Sequence, residues 1–228
     1  MVHCCEESFF EIFWGQQMQR VIRCLLHDLS NYLTGNLALS ELFCAKEQEV
    51  PFEKFVVIRD NCYKEREILK QLSHIHHANS GNTTYIDLQT FVSDLQPLLK
   101  RLLPGHAKFN VDSEKSLEVL IKFDPVLLQR VFLLTTLLVS EVFEYTSNPE
   151  LNIHIVCKEN LVICQIKSNI SLVLNTKNVE EIKADELFLT RIYGPMVCFY
   201  LEKYNGCFAY EAPHEGASII NLKFPIVA

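Results

Sequence analysis

Hydrophobic side chains recur at helical spacing through the first third of the chain. Two long segments carry the pattern, roughly residues 8–45 and 52–77, and a polar stretch from Glu47 to Pro51 separates them. Proline suits the first turn of a helix, which places the start of the second segment. We therefore predict an antiparallel helical hairpin within residues 1–80. One hairpin cannot cover both of its apolar faces, so either a dimeric four-helix bundle or burial against the rest of the chain must cover them.

The pattern changes after the polar linker Asn79-Ser80-Gly81-Asn82. Segments with helical spacing then alternate with segments in which every second residue is apolar. Helices are predicted over 86–103, 124–145 and 184–203, and strands over 107–111, 117–121, 152–157, 161–167, 207–211 and 218–224. This order predicts an α+β fold in which residues 83–228 form an α/β sandwich, with helices on one face of a mixed sheet.

The composition indicates a soluble globular protein. Of 228 residues, 49% are hydrophobic and 21% are charged, and the formal net charge is −7. We expect no nucleic-acid partner, because the chain is acidic and its basic pair Lys100-Arg101 is too short for a basic patch. No apolar run is expected to span a bilayer, and Phe9 to Trp14 lacks the basic lead of a signal peptide. We therefore expect a cytoplasmic protein with no membrane partner.

The cysteines and clustered histidines predict neither disulfides nor a metal site. The nine cysteines are odd in number and include no C-x-x-C pair. This pattern is typical of reduced, mostly buried thiols. His74, His76 and His77 lie at the predicted end of the second helix, before Gly81. Because the helix dipole favours polar and positive groups there, we interpret them as capping-region residues and predict no metal ligands.

The polar face of the first helix centres on one histidine, His27. With about 100° of rotation per residue, five polar side chains fall within about 60° of it. They are Arg20, Arg23, Ser30, Asn31 and Thr34. The apolar side carries Val21, Ile22, Leu25, Leu29, Tyr32 and Leu33. One interpretation is a surface histidine on an ordinary amphipathic helix; the other is a reactive histidine flanked by groups that can hold an oxyanion.

Three stretches of the chain resemble sensor histidine kinases, in the order in which those proteins carry them. Residues 23–35, Arg-Cys-Leu-Leu-His-Asp-Leu-Ser-Asn-Tyr-Leu-Thr-Gly, resemble the phospho-accepting histidine box, in the subtype with an H-D-[FL]-x-N-x-L-T core. Residues 124–133 resemble the lead-in to the N box of the ATP-binding domain, and residues 192–218 resemble its last helix and last two strands. The resemblance implies a dimerisation and phosphotransfer hairpin followed by a histidine-kinase-ATPase-like domain.

The chain departs from this family at the positions where the family binds nucleotide. Two N-box asparagines, four residues apart, hold Mg²⁺ and the phosphates in the family, and the matching residues here are Leu134 and Leu138. Leucine supplies no oxygen ligand for Mg²⁺. The family's glycine-rich boxes are also missing, since no glycine occurs between Gly105 and Gly194. We therefore expect a degenerate domain that binds neither ATP nor another cofactor.

A phosphorylatable histidine without ATP leaves histidine phosphotransfer as the expected reaction. The chain resembles dimeric histidine phosphotransferases built on a degenerate histidine kinase core. His27 would accept a phosphoryl group from one aspartate and pass it to another in a two-component phosphorelay. The resemblance implies response-regulator receiver domains as partners, which would supply Mg²⁺ and the aspartate. A hybrid histidine kinase is a further candidate partner.

Three neighbours of His27 are predicted to take part in the chemistry. Arg23 and Asn31 lie one turn to either side, so they share its face and could contact the phosphoryl group. Asn31 matches a position that carries phosphatase activity in related kinases, and phosphatase activity is therefore a variant of the prediction. Asp28 matches the family's acidic residue, and it would fix the tautomer of the imidazole if it bonds the ring.

Three further residues are predicted to contact a partner. Ser30 and Thr34 lie on the face of His27 and are expected to be contact residues. Gly35 weakens a helix by about 1 kcal/mol relative to alanine. It either admits a partner helix at close range or marks a kink.

Two functions of other classes stay open. A non-catalytic module would bind a receiver domain or a kinase through the same helical face. An active kinase with an unusual ATP site is the other, and Leu134 and Leu138 argue against it.

Overall fold

The computed structural model describes residues 2–45, 51–76, 82–113, 120–144, 146–170, 184–211 and 217–227. Within these ranges the chain forms five helices and seven strands. The chain divides into two compact units, residues 1–78 and 79–228. The predicted α+β class with a mixed sheet is confirmed.

The first unit is an antiparallel pair of helices, α1 (Val2–Ala45) and α2 (Phe52–His76). Near the turn, the rings of Phe43 and Phe55 lie 5.4 Å apart. A polar layer follows further along the pair. Asn36 donates to the Glu65 carboxylate at 2.8 Å and accepts from the Asn61 amide at 3.0 Å. Because these amides pair across the two helices, a shift of one helix along the other would leave them without partners.

The second unit is built on a five-stranded sheet of mixed direction. Its strand order is β2 (Lys108–Ser113), β4 (Glu150–Lys158), β5 (Leu161–Ser168), β7 (Ser218–Pro225) and β6 (Cys207–Glu211). β2 runs parallel to β4, and the other neighbours are antiparallel. A separate two-stranded sheet pairs β1 (Thr84–Asp87) with β3 (Leu120–Phe123).

The two faces of the larger sheet differ in polarity. One face carries buried apolar rows, such as Ile155, Cys164 and Leu222 in register. The other face carries a polar row across four strands, which comprises Asp112, His154, Gln165 and Asn221 in register. This alternation is expected for a sheet that is covered by helices on one side.

Three helices complete the second unit: α3 (Leu88–Leu102), α4 (Pro125–Phe143) and α5 (Ala184–Glu202). Asp124 caps α4, since its carboxylate accepts from the Val126 amide at 2.8 Å and Pro125 occupies the first turn. Asp87 caps α3 in the same way through the Gln89 amide. The cap at Asp124 places the start of α4 where the sequence predicts it.

Helix α4 forms the centre of this unit. Among the described helices, α4 alone is long and apolar enough to cross a membrane by length and composition, contrary to the sequence-based expectation. However, 72% of its most apolar window is buried inside the fold. Helices that are apolar all round are typical of protein cores as well as of membranes, and burial accounts for the composition of α4.

Two further details of the sequence-based prediction are wrong. The helix predicted over 86–103 begins only at Leu88, because Ile86 pairs with Ile121 in the small sheet and Asp87 caps the helix. Among the described cysteines only Cys164 is buried, whereas Cys44, Cys62 and Cys207 are exposed. The expectation of mostly buried thiols is therefore wrong for the cysteines whose exposure the structure describes. His77 and most of the predicted linker fall outside the described residues.

Candidate functional site

Helix α1 presents three distinct faces over its second half. Asn36 and Phe43 contact α2, and they lie about 180° and about 160° around the helix from His27. His27 therefore points away from α2, with 74% of its side chain exposed. A third face lies about 100° from His27 and carries exposed leucines, which are described below. The pairing with α2 thus leaves the histidine accessible to another protein.

The ring of His27 is held through one nitrogen only. Its Nδ1 atom lies 3.3 Å from the Asn31 amide nitrogen and 3.6 Å from an Asp28 carboxylate oxygen. Within the described part of the chain, Nε2 makes no hydrogen bond or ion pair. Nε2 is therefore the ring atom that is free to attack a phosphoryl group from solvent.

Helix geometry explains why Asn31 reaches His27 and Arg23 does not. Side chains on a helix tilt toward its N-terminus. Asn31, one turn after His27, leans back onto the ring, while Arg23, one turn before it, leans away. Arg23 is exposed, and no described residue forms a hydrogen bond or ion pair with it. It can meet a phosphoryl group only after its side chain turns toward His27.

The tautomer of His27 depends on Asp28 and Asn31 together. A carboxylate beside Nδ1 attracts an N–H group, so it favours the tautomer with hydrogen on Nδ1, which leaves a lone pair on Nε2. The Asn31 amide can serve either tautomer, since a turn of 180° exchanges its NH₂ for its carbonyl oxygen. At 3.6 Å the Asp28 carboxylate is beyond hydrogen-bond distance of Nδ1, and it favours the tautomer with hydrogen on Nδ1 through its negative charge.

Of the three remaining predicted contact residues, Ser30 and Thr34 share the face of His27 and Gly35 does not. Ser30 and Thr34 are exposed, and Thr34 lies about two turns beyond His27. Gly35 is half-buried on the side nearer α2, and a Cβ there would lie 3.7 Å from the Asn61 side chain. That distance is an ordinary contact, so packing against α2 does not require glycine at this position.

A stripe of exposed leucines runs beside the face of His27. Leu26, Leu33 and Leu37 are 49%, 51% and 60% exposed, although the spacing in the sequence placed Leu33 on the apolar side. They follow one another at seven and four residues, which is the spacing of a helix–helix contact. We call these three residues the leucine stripe. Sequence reasoning missed it because the hydrophobic pattern does not distinguish the side that α2 covers from the side it leaves open.

The positions that match the N box are closed. Leu134 has no exposed surface, and Leu138 is 8% exposed. Neighbouring positions of α4 are buried as well, including Val131, Thr135 and Leu137. Neither leucine can ligate a cation, and the surface around them is not open to solvent.

Burial changes the acidity of thiols and one phenol in this unit. Burial raises the pKa of the Cys164 thiol far above its ordinary value. Desolvation also raises the pKa of Cys198, and the nearby charge of Glu202 adds to it. The pKa of Tyr204 is raised by desolvation and by Asp124. None of these groups is activated as a nucleophile, because each is pushed toward its protonated form.

The chain matches no protein-family model and no curated protein sequence. Among solved structures, it is similar to the catalytic domain of the histidine kinase ThkA, with a TM-score of 0.47, 12% identity and coverage of 64% of this chain and 96% of that chain. A mycobacterial sensor histidine kinase, MprB, gives a TM-score of 0.48 and 11% identity over 64% of this chain and 98% of its own. The Acinetobacter baumannii histidine kinase AdeS gives 0.46 and 13% over 88% of this chain and 98% of its own.

Proposed function

We propose that the chain is a histidine phosphotransferase that carries a phosphoryl group on Nε2 of His27 between receiver-domain aspartates. The observation that carries the proposal is the exposed ring with Nδ1 beside Asp28 and Nε2 open to solvent. The negative charge of Asp28, 3.6 Å from Nδ1, favours the tautomer whose Nε2 lone pair can attack a phosphoryl group. The resemblance of residues 23–35 to a phospho-accepting box agrees with this geometry.

The transfer step needs no group beyond those of the two proteins and the partner's Mg²⁺. The lone pair of Nε2 attacks the phosphorus of an aspartyl phosphate, an N–P bond forms, and the P–O bond to the aspartate breaks. The aspartate leaves with the bonding electrons as a carboxylate. The ring becomes an imidazolium that keeps its hydrogen on Nδ1, and the Asp28 carboxylate stabilises that positive charge. The reverse step delivers the group to a second aspartate.

The second unit supports transfer rather than autophosphorylation. Leu134 and Leu138 are buried and offer no oxygen where the resemblance implies ligands for Mg²⁺ and phosphate. A phosphoryl group must then arrive on another protein. This unit is proposed as a scaffold that binds no nucleotide.

We further propose that the active form is a homodimer built on the hairpins. The leucine stripe leaves three large apolar side chains about half exposed on one helix face. Exposed apolar stripes at this spacing are typical of helix bundles that lack their partner helices. A second copy of the hairpin would cover the stripe and keep His27 at the surface, because the two faces lie about 100° apart.

The decisive experiment is phosphoryl transfer from a receiver domain. A receiver domain from the same cell, phosphorylated with acetyl phosphate in the presence of Mg²⁺, should label the wild-type chain, and His27→Gln should abolish the label. His106→Gln is the matched control, since His106 is also exposed and lies in the other unit. Absence of label with every receiver domain of the cell would refute transfer, and so would equal labelling of the His27→Gln variant.

Receiver phosphatase activity is the second candidate, and the contact of Asn31 with His27 favours it over simple binding. An amide at 3.3 Å from the ring is close enough to orient a water at the same place as the phosphoryl group. Loss of receiver phosphate without a labelled His27, together with its arrest by Asn31→Ala, would select this function. A non-catalytic module would instead bind the receiver domain equally well with and without His27.

A further inference from the structure

The segment of α1 before His27 is basic in an otherwise acidic chain. Residues 12–27 contain Arg20 and Arg23 but no aspartate or glutamate, while the whole chain carries a formal net charge of −7. Both arginines are exposed. Arg20 lies about 20° around the helix from His27, so it shares the face of the histidine. The surface that a partner meets on this side of the ring is therefore cationic.

Arg20 is too far from His27 to act on the reacting atoms. Seven residues of helix separate them, which is about 10.5 Å along the axis. The side chain also leans away from His27, toward the N-terminus of α1. Its Nη1 donates to the Gln17 side-chain oxygen at 3.3 Å, in agreement with that direction. A group held there meets the body of a partner protein rather than the phosphoryl group.

The contact with Gln17 orients Arg20 before any partner binds. Gln17 is only 7% exposed, so its amide cannot move freely. An arginine whose fork is already held by a buried group loses less side-chain freedom when it forms further hydrogen bonds. Arg59 of α2 provides the contrast, because it is exposed and its partner within the described residues is its exposed neighbour Asp60.

The chemistry of the proposed partner supplies the complementary charge. This step rests on the proposed function, in which the partner carries an aspartyl phosphate and a bound Mg²⁺. Mg²⁺ is held by carboxylate and phosphate oxygens, so the partner's surface around the phosphoaspartate must be rich in anionic oxygen. When the phosphoaspartate meets His27, part of that surface can lie over the preceding two turns of α1.

We infer that Arg20, oriented by Gln17, is a docking residue that recognises an acidic surface next to the phosphoaspartate of a receiver domain. It speeds the encounter and sets the orientation of the partner, and it does not take part in the transfer itself. Charges at the rim of an interface act mainly on the association rate, and their effect weakens as salt screens them.

The test compares Arg20→Glu with Arg59→Glu in the full chain, with the acetyl-phosphate-treated receiver domain as donor. Both variants change the charge by the same amount on exposed helix positions of the first unit. Arg20→Glu should lower kcat/KM for transfer by about tenfold at low salt, with an unchanged rate at saturating donor. The loss should shrink as the salt concentration rises, and Arg59→Glu should transfer like the wild type. Arg20→Lys should retain most of the activity, and Gln17→Leu should lose part of it.

Each other outcome overturns the inference in a recognisable way. A fall in the transfer rate at saturating donor would place Arg20 at the reacting atoms. Equal losses in Arg20→Glu and Arg59→Glu would show that only the net charge of the chain matters. Equal kcat/KM in Arg20→Glu and the wild type, with His27 still labelled, would refute the docking role and leave the proposed function intact. A wild-type chain that takes no label from any receiver domain would refute both. Thermal unfolding of each variant controls for loss of fold.

Discussion

The face of α1 around His27 and the face of α4 around Leu134 lie in or next to segments that resemble histidine kinases in sequence, but they are built in opposite ways. The first is polar and open, with a ring that is 74% exposed. The second is apolar and closed, with Leu134 fully buried. A reactive side chain must reach its substrate, whereas a core side chain gains stability by leaving water. The difference indicates that the side chain of His27 is open to a partner, whereas the side chains of α4 around Leu134 serve the core.

The largest expected effect comes from placing asparagine in the core of α4. Leu134→Asn should destabilise the second unit by about 3–5 kcal/mol, because it removes a buried leucine and buries an amide without a designed partner. The double variant with Leu138→Asn should unfold at a still lower temperature and bind no MgATP. Thermal unfolding followed by circular dichroism measures the first effect, and titration calorimetry measures the second.

Leu120→Asn provides the control for that loss of stability. Leu120 lies in the same unit but is 45% exposed, so its replacement should cost well under half as much. Binding of MgATP by the double variant would mean that α4 still borders a nucleotide site. Helix α4 would then differ from an open nucleotide-binding surface only in the side chains of Leu134 and Leu138.

A smaller effect is expected on dimerisation when the leucine stripe of the hairpin is changed. Leu33→Asp together with Leu37→Asp should raise the dissociation constant of the homodimer by at least about a hundredfold, since each copy would place two charges in an apolar contact. Light scattering after gel filtration reports the change. Leu120→Asp, on an exposed strand position of the other unit, should leave the dimer intact. A wild-type chain that is monomeric at high concentration would contradict the proposed bundle.

Local signals in the sequence predict most of the helices and strands. They do not predict which face of a helix is buried and which is exposed. Pro51 and the pair Asp124-Pro125 place helix starts correctly, because capping and the fixed backbone angle of proline are local effects. The four residues of β1 are too few to show a period, and only their pairing with β3 makes them a strand. The exposure of Leu33 depends on where α2 packs, which is a tertiary property.

The same limit applies to the candidate site. Helical spacing alone brings Asn31 to the face of His27, and the tilt of helical side chains then decides that Asn31 touches the ring while Arg23 does not. The contact of Asp28 at 3.6 Å could not be derived from spacing, since adjacent helix residues diverge. The burial of Leu134 needed the packed second unit. Motif matching identifies candidate residues, and packing decides which of them can react.

The smallest expected effect is a difference in thiol labelling between the open hairpin and the closed second unit. Cys62 is exposed on the hairpin, and Cys164 is buried in the sheet with a pKa raised by burial. Maleimides react with accessible thiolates, so the exposed Cys62 should label within minutes. Cys164 should stay unlabelled at pH 7 and at pH 8, because burial blocks access and the raised pKa leaves even less thiolate than in a free thiol. Mass spectrometry of tryptic peptides reads both sites in one sample, and labelling of Cys62 is expected to change the unfolding temperature by no more than a few degrees. Rapid labelling of Cys164 in the folded chain would show that the second unit opens readily. The claim that α4 is closed to solvent while the face of His27 is open would then be wrong.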